Sequence, residues 1–253
     1  MLPRLPPGRP GQPRAVRAGA LAVSIVLLAG CEGPSFGMPD AASAEGDQIR
    51  DLYRWFAALA AGVGVFVTVL LVYVVLRFRR RTDEIPDQQA YNIPIEVVYT
   101  VVPLLIVSVL FAYSVRTEES VNDLVAEPDV VVDVTGFQWQ WRFAYPDLDV
   151  VVTGTPEGGL PELVLPVGQT TRLDLRSADV NHNFWVPAFL NKRDLIPGVD
   201  NAIDVTPTRL GTYDGVCAEY CGLDHGRMRF VVRVVDVDEF DRWVDERSDE
   251  AKP

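Results

Sequence analysis

Apolar residues are concentrated in the first 115 positions of this 253-residue chain, where they form two long runs. The run at residues 55–76 carries no charged side chain and is long enough to cross roughly 30 Å of hydrocarbon as a helix. A second run covers about residues 95–115 and contains Pro103 and a single acid, Glu96. The pattern predicts two transmembrane helices.

The charges between the two runs predict their orientation. Four arginines lie in this short connection, and clustered arginines mark the cytoplasmic side of a membrane protein; they are Arg77, Arg79, Arg80 and Arg81. We therefore expect a transmembrane hairpin over residues 51–116, with both of its ends outside the cytoplasm.

A third, shorter apolar run, "ALAVSIVLLAG", follows an N-terminus that has four arginines and no acid before Glu32. This layout predicts a secretory signal over residues 1–30. The run ends in "LAGC", which resembles the bacterial lipobox and predicts lipidation of Cys31. The alternative is an ordinary signal cleaved nearby, with Cys31 incidental. Residues 31–50, rich in Gly, Ala, Ser and Pro, are predicted to be a linker.

From residue 117 onwards the pattern becomes β-like. Short runs rich in β-branched and aromatic residues are separated by Gly, Pro, Asn and Asp, which predicts an antiparallel sandwich or barrel over residues 117–253; they are "DVVVDVTG", "FQWQWRFAY", "TTRLDLRS" and "MRFVVRVV". In the second run the four aromatic residues from Phe137 to Phe143 alternate with polar ones, so we expect them on one strand face. Only "DVDEFDRWVDER" has helical periodicity.

The predicted exported region is strongly acidic. Residues 117–253 contain 26 Asp and Glu against 12 Lys and Arg, a net charge of −14. Such a field repels nucleic acid and attracts a basic partner. We therefore exclude nucleic acid as a partner.

The stretch "CAEYCGLDHGRM", residues 217–228, gathers most of the soft metal ligands of a chain that has three Cys, two His and three Met. A disulfide is one interpretation, because exported cysteines usually oxidise, but it leaves His225 and Met228 unexplained. A structural zinc site is another, since His182 would complete a Cys₂His₂ set. Covalent haem is excluded because Cys221 is followed by Gly222, and haem attachment needs C-x-x-C-H.

The number of donors favours copper over zinc. A blue-copper site takes two His, one Cys and a weak axial Met on a β-sandwich. Two thiolates, two imidazoles, a thioether and a spare backbone carbonyl overfill one copper, but they suit two coppers bridged by both sulfurs.

The same stretch, preceded by "DVNHNFWVPAF", resembles the binuclear copper (CuA) centre of subunit II of cytochrome c oxidase. The resemblance covers about residues 51–244 and includes the two-span hairpin, "GFQWQWRFAYP" and "NKRDLIPG" in the family's order. It implies a cupredoxin-like domain and a magnesium that faces the Glu219 carboxylate at the border with subunit I. It also implies six metal ligands, of which Glu219 binds through its backbone carbonyl; they are His182, Cys217, Glu219, Cys221, His225 and Met228.

The resemblance implies further roles outside the metal loop. Trp139 matches the tryptophan through which the family receives electrons, and Gln140 replaces an aromatic residue beside it. Glu96 matches the entrance of a proton pathway, although an acid there can also simply sit among lipid headgroups. Asp179 matches an acidic position near the cytochrome c surface. Val199 stands where an arginine is common.

The function implied is that of a subunit of a bacterial cytochrome c oxidase. The chain would accept electrons from a c-type cytochrome and pass them to haem in subunit I, where oxygen is reduced. Its partners would be subunit I, other oxidase subunits, the cytochrome and membrane lipid, at the plasma membrane. Two alternatives stay open at this point: a quinol-oxidase-type subunit II without redox copper, and a zinc-stapled, lipid-anchored scaffold.

Overall fold

A computed structural model describes residues 38–81, 83, 85, 87–155 and 159–250 of the chain. The predicted signal over residues 1–30 and the predicted lipidation site, Cys31, lie outside the described residues, and both stay predictions.

Two long helices open the described part of the chain: α1, Ala44–Arg77, and α2, Ile93–Asn122. The backbone N–H of Gly46 donates to the Ser43 hydroxyl over 3.0 Å, so Ser43 caps α1. Helix α1 therefore begins inside the segment 31–50 that we expected to be a linker, and α2 extends beyond residue 116. Both helices are long and apolar enough to cross a membrane, and their most apolar stretches are not buried within the chain.

A β-sandwich of two five-stranded sheets follows the helices. Its strands are β1 Val130–Phe137, β2 Gln140–Tyr145, β3 Val150–Thr153, β4 Glu162–Pro166, β5 Thr171–Ser177, β6 His182–Val186, β7 Asn191–Leu195, β8 Asn201–Val205, β9 Gly211–Cys217 and β10 Arg229–Val235. The sheet orders are β3-β2-β1-β5-β8 and β4-β10-β9-β6-β7. Helix α3, Val237–Glu250, closes the domain. The predicted helical pair, sandwich and short final helix are confirmed, but two strand pairs, β1 with β5 and β10 with β4, are parallel.

An aromatic cluster fills the core between the sheets. Phe230 stacks on Phe184 with ring centroids 4.8 Å apart, and it meets Trp141 edge-on at 5.1 Å and Phe143 at 5.5 Å. All four side chains are fully or almost fully buried. Gly215 lies over this cluster, where a Cβ would be 2.1 Å from the Phe230 ring. This close packing restricts the movement of the strands in the second sheet.

The aromatic run "FQWQWRF" does not form one strand, as we had expected. Strand β1 ends at Phe137 and β2 begins at Gln140, and these two residues pair directly. Gln138 and Trp139 are therefore the two residues of a tight hairpin turn. Trp141 and Phe143 are buried in the core, whereas Trp139 is only partly buried and packs against it. The prediction was wrong because the turn contains none of the Gly, Asn or Pro residues that usually mark one.

The two segments that connect the helices to the sandwich are both hydrogen-bonded to residues in β8 or directly after it. Before α1, Ala42 accepts a hydrogen bond from the Thr208 N–H, and the Ala44 N–H donates to the Thr206 carbonyl, each over 2.9 Å. After α2, the Val125 N–H donates to the Asp204 carboxylate over 2.7 Å. The sandwich is thus held to the helical hairpin at two points of one sheet edge.

Candidate metal centre

Strand topology brings the two halves of the donor set together. His182 is the first residue of β6 and Cys217 the last residue of β9, and these strands pair antiparallel. The loop after Cys217 returns to β10 immediately after Met228, and the Cys217 N–H donates to the Met228 carbonyl over 3.0 Å. Donors far apart in sequence therefore meet at one end of the second sheet.

The two loop cysteines are free thiols, both buried, with sulfurs 3.8 Å apart. A disulfide holds its sulfurs about 2.05 Å apart, so this pair is not bonded. The ligand atoms of His182, Cys217 and Cys221 all lie within 4.8 Å of one another, as in a site that could hold a metal.

Each sulfur has one imidazole beside it. The Nδ1 atom of His182 lies 3.8 Å from the Cys217 sulfur, and the Nδ1 atom of His225 lies 3.6 Å from the Cys221 sulfur. Among the described residues, this pairing brings both histidines of the chain to the two thiols. A Cys₂His₂ set is thus present for either zinc or copper.

Each sulfur also has one weak donor. The Glu219 backbone carbonyl oxygen lies 3.3 Å from the Cys217 sulfur, and the Met228 sulfur lies 3.7 Å from the Cys221 sulfur. Met228 is 1% exposed, so its thioether is shielded from solvent and lies beside the Cys221 sulfur. A tetrahedral zinc site would leave both weak donors unused, whereas a pair of coppers employs them. The donor set therefore contains more groups than a single tetrahedral zinc would bind.

Burial and the neighbouring groups make the two thiols unequal. Burial opposes ionisation of Cys217, but hydrogen bonds from the His182 ring and from backbone groups outweigh it and lower the Cys217 pKa. Burial and the adjacent Cys217 thiolate raise the pKa of Cys221. Cys217 is thus the more acidic of the two thiols. A cation that binds both sulfurs must displace any proton they carry.

The Asp179 carboxylate holds His182 in place. His182 Nε2 lies 2.8 Å from Asp179 Oδ1, and the ring is fully buried. With Nε2 at this carboxylate, the Nδ1 atom of the same ring faces the Cys217 sulfur. Burial opposes ionisation of Asp179, but hydrogen bonds from the Gln138 N–H, from His182 and from the Val180 N–H lower its pKa. Partners of this kind orient the ligands of most metal sites.

Asp179 was expected on a docking surface, and its side chain is about a third exposed. Its docking role stays a prediction, to which the structure adds the contact with His182.

Trp139 touches the metal loop directly. Its indole N–H donates to the backbone carbonyl of Cys221 over 3.3 Å, and its ring is partly buried against the core. The predicted electron-receiving side chain is therefore in hydrogen-bond contact with Cys221, one of the predicted ligands.

Glu96 and Glu219 have different surroundings. Glu96 lies in the first turn of α2 and accepts a hydrogen bond from the Asn92 N–H over 2.8 Å, an arrangement that caps the helix. Its predicted proton-pathway role remains a prediction. Glu219 is exposed, while its carbonyl faces the Cys217 sulfur. Its carboxylate is thus accessible to a group outside this chain.

Two residues of this site escaped the sequence analysis. Gln138 donates from its side-chain amide to the Cys221 carbonyl over 2.7 Å. Gly222 has φ +121°, and a Cβ there would lie 3.1 Å from the Gln138 amide nitrogen. A glycine directly after Cys221 was a usable signal for such a close approach. Nothing in the sequence indicated that the Gln138 side chain would contact the Cys221 carbonyl.

Two family models match the chain. One, described as the transmembrane domain of cytochrome C oxidase subunit II, matches residues 32–117, and the other, its periplasmic domain, matches residues 160–235. The probable cytochrome c oxidase subunit 2 of Streptomyces avermitilis is 40% identical, covering 90% of this chain and 85% of the relative. Cytochrome c oxidase subunit 2 of Mycobacterium tuberculosis is 33% identical, with coverage of 93% and 81%.

Among solved structures, the periplasmic domain of subunit II of the cytochrome oxidase of Bradyrhizobium japonicum is 35% identical. The match covers 51% of this chain and 100% of that one, with a TM-score of 0.47.

Proposed function

We propose, because this chain belongs to the cytochrome c oxidase subunit II family, that it is the subunit through which electrons from a c-type cytochrome enter the oxidase. The observation that carries the proposal is the pair of buried free thiols 3.8 Å apart, each with one imidazole and one weak donor beside it. A quinol-oxidase-type subunit II has no use for this donor set. A zinc-stapled scaffold leaves Met228 and the Trp139 contact without a purpose.

The chain is a membrane protein with an extracytoplasmic domain. We assign it to the bacterial plasma membrane as a two-span protein, with residues 51–116 as the hairpin and the domain from residue 117 outside. The arginine cluster supports this orientation. Signal cleavage before Cys31 and lipidation of that residue belong to the same proposal.

We assign two copper ions to His182, Cys217, Glu219, Cys221, His225 and Met228. When bound, the metal pair supplies a one-electron redox centre whose charge is shared over both ions. The chain itself contributes the rigid frame: the Cys217 and Met228 ends of β9 and β10 are hydrogen-bonded to each other, and the aromatic core lies beneath them. A rigid, buried donor set changes little on electron transfer, which favours fast exchange.

Two residues at the site suit input and output of electrons. Trp139 contacts the Cys221 carbonyl, so we assign it to electron input. Glu219 binds through its carbonyl and exposes its carboxylate, so we assign that carboxylate to a magnesium shared with subunit I. Electrons would leave there for haem in subunit I. The net charge of −14 over residues 117–253 suits a basic cytochrome donor.

Stopped-flow mixing of copper-loaded full-length chain with a reduced c-type cytochrome tests this function. We expect second-order oxidation of the cytochrome that slows as salt shortens the screening length from about 10 Å at 0.1 M to about 3 Å at 1 M. Trp139→Phe should slow the transfer step while leaving cytochrome binding nearly intact, because it removes the indole contact and no charge. A cytochrome that stays reduced would refute the proposal. A rate that is flat in salt would refute the docking part alone.

A further inference from the structure

The turn between β1 and β2 lies across both ligand-bearing segments. The side-chain amide of Gln138 donates to the Cys221 carbonyl over 2.7 Å, and its backbone N–H donates to Asp179 Oδ2, also over 2.7 Å. The other oxygen of Asp179 meets His182 Nε2. One residue is therefore hydrogen-bonded to the cysteine loop by its side chain and to the histidine segment by its backbone.

Two glycines allow this turn to come so close. A Cβ on Gly136, in β1 just before the turn, would lie 3.2 Å from the His182 ring. On the other side, a Cβ on Gly222 would lie 3.1 Å from the Gln138 amide nitrogen and 3.3 Å from the Trp139 indole nitrogen. At these distances a side chain in place of either glycine would require the neighbouring groups to shift, and the φ of +121° at Gly222 also favours glycine. The hairpin is thus packed directly on both ligand segments.

We propose that Gln138 is a positioning residue that fixes the Cys221 carbonyl and the Trp139 indole relative to His182. The inference rests on the proposed function for its effect on electron transfer, but the contacts themselves do not depend on a metal. Two donors, the Gln138 amide and the Trp139 indole, converge on the single Cys221 carbonyl. Without the amide, the Cys221 carbonyl keeps only the longer indole contact, so both this carbonyl and Trp139 gain freedom.

The amide also acts electrostatically on the centre. Its N–H dipole points its positive end at the loop that holds both sulfurs, which favours the more negative, reduced state of a redox centre there. Loss of the donor should therefore lower the midpoint potential. It should also slow electron input by up to about tenfold, because small misplacements of a reacting group reduce rates strongly.

Two substitutions separate positioning from docking. Gln138→Met is close in size but has no donor, and Gln138→Glu keeps the shape, loses the donor and adds a negative charge. A docking role predicts faster association with a basic cytochrome for Gln138→Glu at low salt and no change in the site. A positioning role predicts the same disturbance of the site in both variants. Gln140→Met is the matched control, because it makes the same substitution two residues further along the chain. The Gln140 amide oxygen lies against Gly154, where a Cβ would meet it at 2.1 Å, and Gly154 is outside the cysteine loop.

The first measurement needs no metal. The full-length chain is labelled with fluorotryptophan in lipid nanodiscs, and the ¹⁹F resonance of Trp139 is assigned by its loss in Trp139→Phe. We expect this resonance to shift and broaden in Gln138→Met and Gln138→Glu and to stay unchanged in Gln140→Met. An unchanged Trp139 resonance in both Gln138 variants would overturn the proposal, whatever metal the site takes.

The second measurement uses the copper-loaded chain. Redox titration should give a lower midpoint potential for both Gln138 variants than for wild type and Gln140→Met, and cytochrome oxidation should be slower at every salt concentration. Equal potentials, or a Gln138→Glu rate that exceeds the wild-type rate at low salt, would assign Gln138 to docking and overturn the positioning role. If wild-type chain takes up no copper, the proposed function fails while the ¹⁹F result still decides the structural claim.

Discussion

The buried ion pair beside β8 gives a stability prediction with a matched control in the same chain. Asp204 is 5% exposed and accepts two hydrogen bonds from Arg172, each over 2.8 Å, and a third from the Val125 N–H. Asp204→Ala would leave the Arg172 guanidinium, 18% exposed, without its main partner. Breaking a buried pair costs about 3–5 kcal/mol. Because Arg172 keeps some access to water, we expect a loss of about 3 kcal/mol.

The control is the neighbouring pair of Asp200 and Arg176. These side chains are 86% and 53% exposed, although their contact is also 2.8 Å long. Exposed pairs contribute at most about 1 kcal/mol, so Asp200→Ala should cost less than that. The two contacts are equal in length, but Asp204 is buried and accepts three hydrogen bonds, whereas Asp200 is exposed and accepts one from Arg176.

Denaturant unfolding of the full-length chain in detergent micelles, followed by tryptophan fluorescence, measures both costs. Amide hydrogen exchange should also accelerate at Val125 in Asp204→Ala, because its N–H loses its acceptor. Equal losses for the two variants, or a loss below about 1 kcal/mol for Asp204→Ala, would show that burial does not govern this contact. The claim that Asp204 fastens the segment after α2 would then be wrong.

Two further predictions concern the ligands and the topology. Cys217→Ser should abolish the binuclear absorption spectrum and electron transfer, because it removes a bridging sulfur, whereas Met228→Leu should keep a perturbed centre with a shifted potential. Visible spectroscopy and redox titration measure both effects. Equal effects of the two substitutions would contradict the bridging role of Cys217. In right-side-out vesicles, an impermeant maleimide should label Asp147→Cys and leave Gln88→Cys unlabelled until the membrane is opened. The reverse labelling pattern would overturn the assigned orientation.

The grouping of these donors could be predicted because it is mostly local. Five of the six predicted ligands lie within twelve residues, and His182 is the only histidine outside that stretch. The loop geometry then follows from one strand pairing, β9 with β10, across which the Cys217 N–H meets the Met228 carbonyl. The helical hairpin could be predicted equally well, because long apolar runs without charges are typical of transmembrane helices.

The contacts around the ligands could not be predicted, because they depend on how distant segments pack. The turn at Gln138 and Trp139 lacks the usual turn residues, so the aromatic alternation suggested one continuous strand. The hydrogen bond from His182 to Asp179 depends on the conformation of the residues before β6, which the pattern does not determine. The start of α1 at Ala44 depends on Ser43, which is buried against the sandwich. In each case tertiary packing decided the local structure.

Electron paramagnetic resonance of the copper-loaded full-length chain, combined with metal analysis, tests the central claim most directly. The donor set of two sulfurs, two imidazoles and two weak ligands predicts two coppers per chain. It also predicts a hyperfine pattern in which one unpaired electron is shared equally by two copper nuclei. A single zinc per chain, or a spectrum from one isolated copper nucleus, would contradict the assignment of a bridged binuclear centre.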